Sequence, residues 1–183
     1  MGNRIFEESG IAFAFSEKNV YKADTEDQQY NGLSSVDFIV DMSEQIYFIE
    51  VKNLENPLIP PEILLQQKKA FLTKMNMNEG VSGYGDNRFQ HSISLKLKDT
   101  LLKKLAMGGN FSKPVVYILL LEFIDLNFQQ RRVLFENINS CLPKFSEEKF
   151  LSIHSVSFDL CDMRKYKMQY EPIFTGITQV MDN

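Results

Sequence analysis

Two consecutive apolar runs constrain this chain more than any other feature: Ser35-Val36-Asp37-Phe38-Ile39-Val40, and Ile46-Tyr47-Phe48-Ile49-Glu50-Val51-Lys52. Both are rich in β-branched and aromatic residues, so both predict strands packed on a core. The polar stretch Asp41-Met42-Ser43-Glu44-Gln45 between them suits a hairpin connection and hence antiparallel pairing. Side chains on a strand alternate faces, with i and i+2 about 7 Å apart. Glu50 and Lys52 therefore share a face, Val51 points the other way, and pairing brings Asp37 toward Glu50. An isolated carboxylate inside an apolar strand is costly to bury without a cation or a partner, so these acids need an explanation beyond a solvated strand edge.

Two carboxylates and a backbone carbonyl make a hard, all-oxygen pocket that favours magnesium or manganese over zinc. A divalent ion there can bind a phosphate oxygen, offset charge developing at phosphorus and acidify a water. Lys52 is placed to orient that water or to stabilise the oxyanion. The set Asp37, Glu50 and Lys52 is chemically complete for phosphodiester hydrolysis, with Asp37, Glu50 and the Val51 carbonyl as metal ligands.

These residues resemble the PD-(D/E)xK phosphodiesterase superfamily, which includes many restriction endonucleases, junction resolvases and repair nucleases. Asp37 stands for the first acid and Glu50-Val51-Lys52 for the (D/E)-x-K, with twelve residues between the acids and Val36 in place of the motif's proline. The resemblance spans roughly residues 5 to 125, with the central hairpin as its specific part. It implies a restriction endonuclease-like α/β fold: an αβββαβ core with a central mixed sheet flanked by helices. It also implies a metal-dependent nuclease acting on DNA rather than RNA. A noncatalytic relative, serving as an interaction or nucleic-acid-binding module, is the alternative.

Residues 3 to 10 are expected to form the first helix, with Asn3 as cap and Gly10 as stop, followed by a strand in which Ile11, Phe13 and Phe15 alternate. The superfamily often brings an acid from that helix into the metal shell. Glu7 and Glu8 are the candidates, Glu8 the favoured one, and an exposed acidic helix turn is the alternative. Pro61 opens a helix in which Ile63, Leu64, Gln67, Ala70, Phe71 and Lys74 follow the i, i+3, i+4, i+7 rhythm, putting Gln67 on the apolar stripe. Gln67-x-x-x-Phe71 is similar to the Gln-x-x-x-Tyr element of RecB-like members, with the hydroxyl missing. Gln67 either helps to fix the active site or only caps buried backbone.

Residues 78 to 88 form a glycine-rich stretch expected to be a mobile loop, and it lacks a phosphate-binding signature. A helix over Ser92 to Met107 carries Ile93, Leu97, Leu101 and Leu105 on one face and Lys96, Lys98, Lys103 and Lys104 on another. Residues 1 to 59 hold four Lys/Arg against eleven Asp/Glu, whereas residues 60 to 113 hold nine against four. An acidic metal-binding region followed by a basic segment suits a nuclease, because phosphate contacts come chiefly from Lys and Arg. Lys68, Lys69, Arg88, Lys96, Lys103 and Lys104 are the candidate contacts. The sequence pI near 5.3 argues against strong binding unaided, so divalent cations, a partner subunit or a second copy of the chain are expected to assist.

The apolar run Val115 to Phe123 predicts a central strand, too short to span a bilayer. Gln129 to Ser140 predicts a helix, and Ile153 to Leu160 an edge strand. The tail from Arg164 onward carries no clear pattern. At 183 residues and 44% hydrophobic, the chain is expected to form one domain over residues 1–183. Its N-terminus lacks the apolar region of a secretory signal, so a cytoplasmic protein away from membranes is expected. Cys141 and Cys161 lie too far from other soft ligands for zinc, and His91 and His154 stand alone.

Overall fold

The computed structural model describes residues 3–16, 20–23, 33–74, 88–109, 111–144 and 153–176. Its elements are strands β1 (Asn3–Glu8), β2 (Ile11–Ser16), β3 (Val20–Lys22), β4 (Phe38–Asp41) and β5 (Ile46–Asn53), helices α1 (Pro61–Lys74) and α2 (Arg88–Ala106), strand β6 (Val115–Glu122), helix α3 (Phe128–Cys141), strand β7 (Val156–Cys161), and the short helices α4 (Met163–Gln169) and α5 (Glu171–Thr175). Apart from Arg88, the glycine-rich loop lies outside the described residues.

A five-stranded mixed sheet in the order β3-β4-β5-β6-β7, flanked by helices, forms the body of the fold. β3, β4 and β5 pair antiparallel, and β5, β6 and β7 are parallel. The expected hairpin is therefore present, the Val115 run is an interior strand between β5 and β7, and β7 is an edge. The parallel pairings need crossovers, which α1 with α2, and then α3, supply. Asn127 caps α3, accepting from the Gln130 N–H at 2.9 Å while the Gln130 side chain accepts from the Asn127 N–H at 3.0 Å.

Strand alternation sorts the apolar residues into two cores. Ile39, Phe48, Tyr117 and Leu119 pack with Ile93, Leu97, Leu134 and Ile138 of α2 and α3. Phe38, Ile49, Val51, Ile118 and Leu120 pack with Phe13 and Phe15 of β2, and with Tyr166 and Phe174 of α4 and α5. The patternless tail thus covers the second face, with Phe174 meeting Phe15 at 5.6 Å and Tyr47 at 5.0 Å between ring centroids.

Residues 3 to 10 do not form the expected helix. They make β1, which pairs with β2 as a separate two-stranded sheet. The Gly10 read as a helix stop is instead half of a two-residue turn, with φ of 52° at Ser9 and 74° at Gly10, the left-handed pair that a tight hairpin turn of type I′ requires. Pairing also lets the half-buried Phe6 ring pack on Phe15 and Phe38, at 6.0 and 5.8 Å. That tertiary contact outweighs the weak local helix signal. The turn docks on the end of β5, where the Asn53 side-chain amide donates to the Ser9 carbonyl at 2.9 Å.

A Cβ built on Gly10 would lie 2.4 Å from Asn56 Oδ1, and the side chain of Asn56 is itself committed to the Leu58 N–H at 3.0 Å. Gly10→Ala is expected to lower the unfolding free energy by about 1–3 kcal/mol through strain at positive φ and this contact. Urea denaturation checks this, with an unchanged m-value marking a loss confined to the native state.

Candidate metal centre

β4 and β5 place the acid pair. Phe38 pairs with Ile49 and Ile39 with Phe48, so one further step of that register sets Asp37 opposite Glu50. Both lie in phase with Ile39 and Phe48, on the face covered by α2. The Val51 N–H donates to Asp37 Oδ2 at 2.6 Å, fixing the Asp37 carboxylate against the Glu50–Lys52 backbone. Asp37 is 6% exposed and Glu50 is 0% exposed.

Two lysines answer this buried charge. Lys52 pairs with Glu50 from the same strand face, as its spacing implies, and its side chain is 38% exposed. Lys96 reaches down from α2, its Nζ lying 2.7 and 2.8 Å from the two Glu50 oxygens and 3.8 Å from Asp37 Oδ1. One ammonium thus spans both acids. Sequence reasoning assigned Lys96 to phosphate contact and missed this role.

The signal for Lys96 was a second stripe on α2. Lys96, Asp99, Thr100 and Lys103 follow the i, i+3, i+4, i+7 spacing beside the leucines, and the last three are buried. Asp99 Oδ2 accepts from the Ser34 N–H at 2.9 Å and Thr100 Oγ1 from the Val36 N–H at 3.1 Å. Lys103 Nζ donates to Ser35 Oγ at 2.7 Å. This stripe grips the three residues leading into Asp37, and the buried Tyr117 hydroxyl donates to the Ile93 carbonyl at 2.9 Å, tying α2 to β6. Burial and the neighbouring Glu50 and Asp37 hold the Tyr117 pKa well above the usual tyrosine value, so it remains a neutral donor.

The other expected residues lie apart from the pair. Glu8 ends β1 and is bound by Lys22 at 3.0 Å. Lys22 pairs with Phe38 in register, so this ion pair lies on the sheet's opposite face from Asp37. Gln67 is exposed and not on a buried stripe. α1 docks through Leu64, Lys68, Phe71 and Leu72, with the Phe71 ring 4.9 Å from Phe89 and 5.5 Å from Phe123. That contact rotates Gln67 outward.

The expected phosphate-gripping lysines are largely engaged within the fold. Lys68 binds Glu55 at 2.7 Å and Asp125 at 3.2 Å. Lys103 is buried on Ser35, and Lys104 lies over the Tyr21 ring at 4.5 Å. Lys69 and Arg88 are exposed. The basic segment is thus in part an internal counter-charge for the acidic one.

The oxygens of Asp37 and Glu50 are hard donors, of the type that magnesium and manganese take. Burial first, and then the adjacent Glu50, push the Asp37 pKa up to about 7, against the lowering effect of Lys96, the Val51 N–H and Lys52. Burial and the neighbouring carboxylate thus outweigh the two ammoniums at Asp37. Among the described residues no third His, Cys, Asp or Glu side chain joins these two. Magnesium and manganese accept so few protein ligands because they retain water and bind substrate phosphate, whereas zinc sites use three or four protein ligands.

In comparisons with protein-family models, curated proteins and solved structures, nothing matched the chain. Among the described residues no helix is long and apolar enough to cross a membrane.

The raised Asp37 pKa sets a pH dependence. The folded state holds this proton up to about pH 7, whereas the unfolded chain releases it near pH 4. Folding therefore takes up a proton between these values, and metal-free stability is expected to fall as pH rises from about 4 to about 7, by no more than about 1.4 kcal/mol per unit. Asp37→Asn is expected to remove this contribution, read from urea denaturation of both proteins across the window in the presence of EDTA.

Proposed function

We propose that this protein is a metal-dependent nuclease that hydrolyses phosphodiester bonds in DNA, using Asp37, Glu50 and Lys52. The observation that carries the reading is the acid pair, both members buried, with Asp37 one residue ahead of β4, Glu50 on the adjacent β5, and Lys52 two residues beyond Glu50 on the same face. The order β3-β4-β5, helix, β6 supports a restriction endonuclease-like core in which the β1–β2 hairpin stands where the first helix was expected.

Asp37, Glu50 and the Val51 carbonyl would hold one magnesium or manganese ion. Such an ion, when bound, supplies positive charge to the reacting phosphate and acidifies water. The chain's own part is positional. The Val51 N–H fixes Asp37, α2 fixes the strand leading into it, and the sheet fixes Glu50. Lys52, the more exposed of the two lysines, orients the attacking water and stabilises charge on the nonbridging oxygens. The chain's acidity makes a second copy or a partner subunit part of the reading, since either would supply the remaining backbone contacts.

A noncatalytic interaction or nucleic-acid-binding module is the second reading. It is favoured by the engagement of both Lys52 and Lys96 with Glu50, which lets the pair serve as a structural ion cluster.

Cleavage of single-stranded, double-stranded and branched DNA, with an RNA control, is expected in manganese or magnesium and absent in EDTA. Lys52→Ala and Asp37→Asn are each expected to reduce it by about 100-fold or more, the usual scale for losing a charge-stabilising group. Equal, metal-independent behaviour of all three proteins on every substrate would favour the noncatalytic module.

A further inference from the structure

Resting on the metal reading above, we propose that Lys96 is an exchangeable internal cation. Its ammonium occupies the space between Glu50 and Asp37 in the metal-free protein and leaves when a divalent ion enters.

The geometry carries the argument. Lys96 Nζ contacts both oxygens of Glu50 and lies within 3.8 Å of Asp37 Oδ1, so the region in which a cation would touch both acids already holds a positive charge. With Glu50 wholly buried and Asp37 nearly so, a hydrated ion cannot reach both while the ammonium stays.

Lys52 does not obstruct in the same way: it pairs with Glu50 from the same strand, and among the described ion pairs it is Lys96, not Lys52, that reaches Asp37. Lys96 can leave. It is carried on a long flexible stem, its side chain is 26% exposed, and α2 is anchored independently of it through Asp99, Thr100 and Lys103. Exchange keeps a positive charge beside the buried acids in both states, whereas loss of the lysine without a metal leaves Glu50 with Lys52 alone.

The test is Mn2+ binding to wild type and Lys96→Met by calorimetry at low ionic strength, with thermal melts in EDTA and in saturating Mn2+. Lys96→Met is expected to bind Mn2+ about tenfold tighter or more, because no like charge has to be displaced. It is also expected to melt lower than wild type in EDTA, with the deficit narrowed by Mn2+.

A second measurement leaves Lys96 itself unchanged. Wild-type protein is acetylated with an N-hydroxysuccinimide ester with and without Mn2+, and Lys96 labelling is read by peptide mass spectrometry. Several-fold faster labelling of Lys96 in Mn2+ is expected, and the increase should vanish in Asp37→Asn. Mn2+ binding by wild type with neither tighter binding in Lys96→Met nor faster Lys96 labelling would overturn the exchange while leaving the metal centre intact. No Mn2+ binding by either protein would overturn the metal reading, and the exchange with it.

Discussion

Placing Asp37 and Glu50 side by side inside the sheet is the constraint on which the rest of the structure depends. Removing an ionised carboxylate from water costs several kcal/mol even after relaxation, and here two face one another under a helix. The fold answers in three ways. Lys52 and Lys96 bring positive charge, the Val51 N–H binds Asp37, and Asp37 itself shifts toward its neutral form. These do not offset burial in full, and the Asp37 pKa stays raised. Shifts of this kind occur both where a site takes a cation or a substrate and in structural ion networks.

Much of the architecture follows from keeping the pair in place. Parallel pairing of β5 with β6 requires a crossover, and that crossover supplies α2, whose polar stripe holds residues 34–36 and whose Lys96 reaches the acids. On the opposite face the aromatic core formed by the β1–β2 hairpin, α4 and α5 backs β4 and β5. The hairpin turn touches the chain beyond Lys52 through Asn53 and Asn56, joining the second core to the end of the strand that carries Glu50 and Lys52.

The legible parts of the chain were those governed by a single local period. Strand alternation located Glu50 and Lys52 on one face, the hairpin connection brought Asp37 toward them, and apolar runs or spacing located α1, α2, β6, α3 and β7. What stayed hidden depended on contacts distant in sequence. Residues 3 to 10 carry plausible helix caps, but the Phe6 ring finds Phe38 only in the folded sheet. Gln67 follows the apolar rhythm of α1, yet the packing of Phe71 on Phe89 and Phe123 decides which side faces inward. Lys96, Lys103 and Lys104 read as phosphate contacts on an outward helix face, and only the buried acids, Ser35 and the Tyr21 ring opposite them reveal otherwise.

Anomalous diffraction from a crystal equilibrated with Mn2+ tests the central claim most directly. The account predicts a manganese peak between the carboxylates of Asp37 and Glu50, with Lys96 Nζ withdrawn from Glu50. A map with no peak there at saturating manganese, and Lys96 still bridging the two acids, would contradict it and leave the pair as a structural ion cluster.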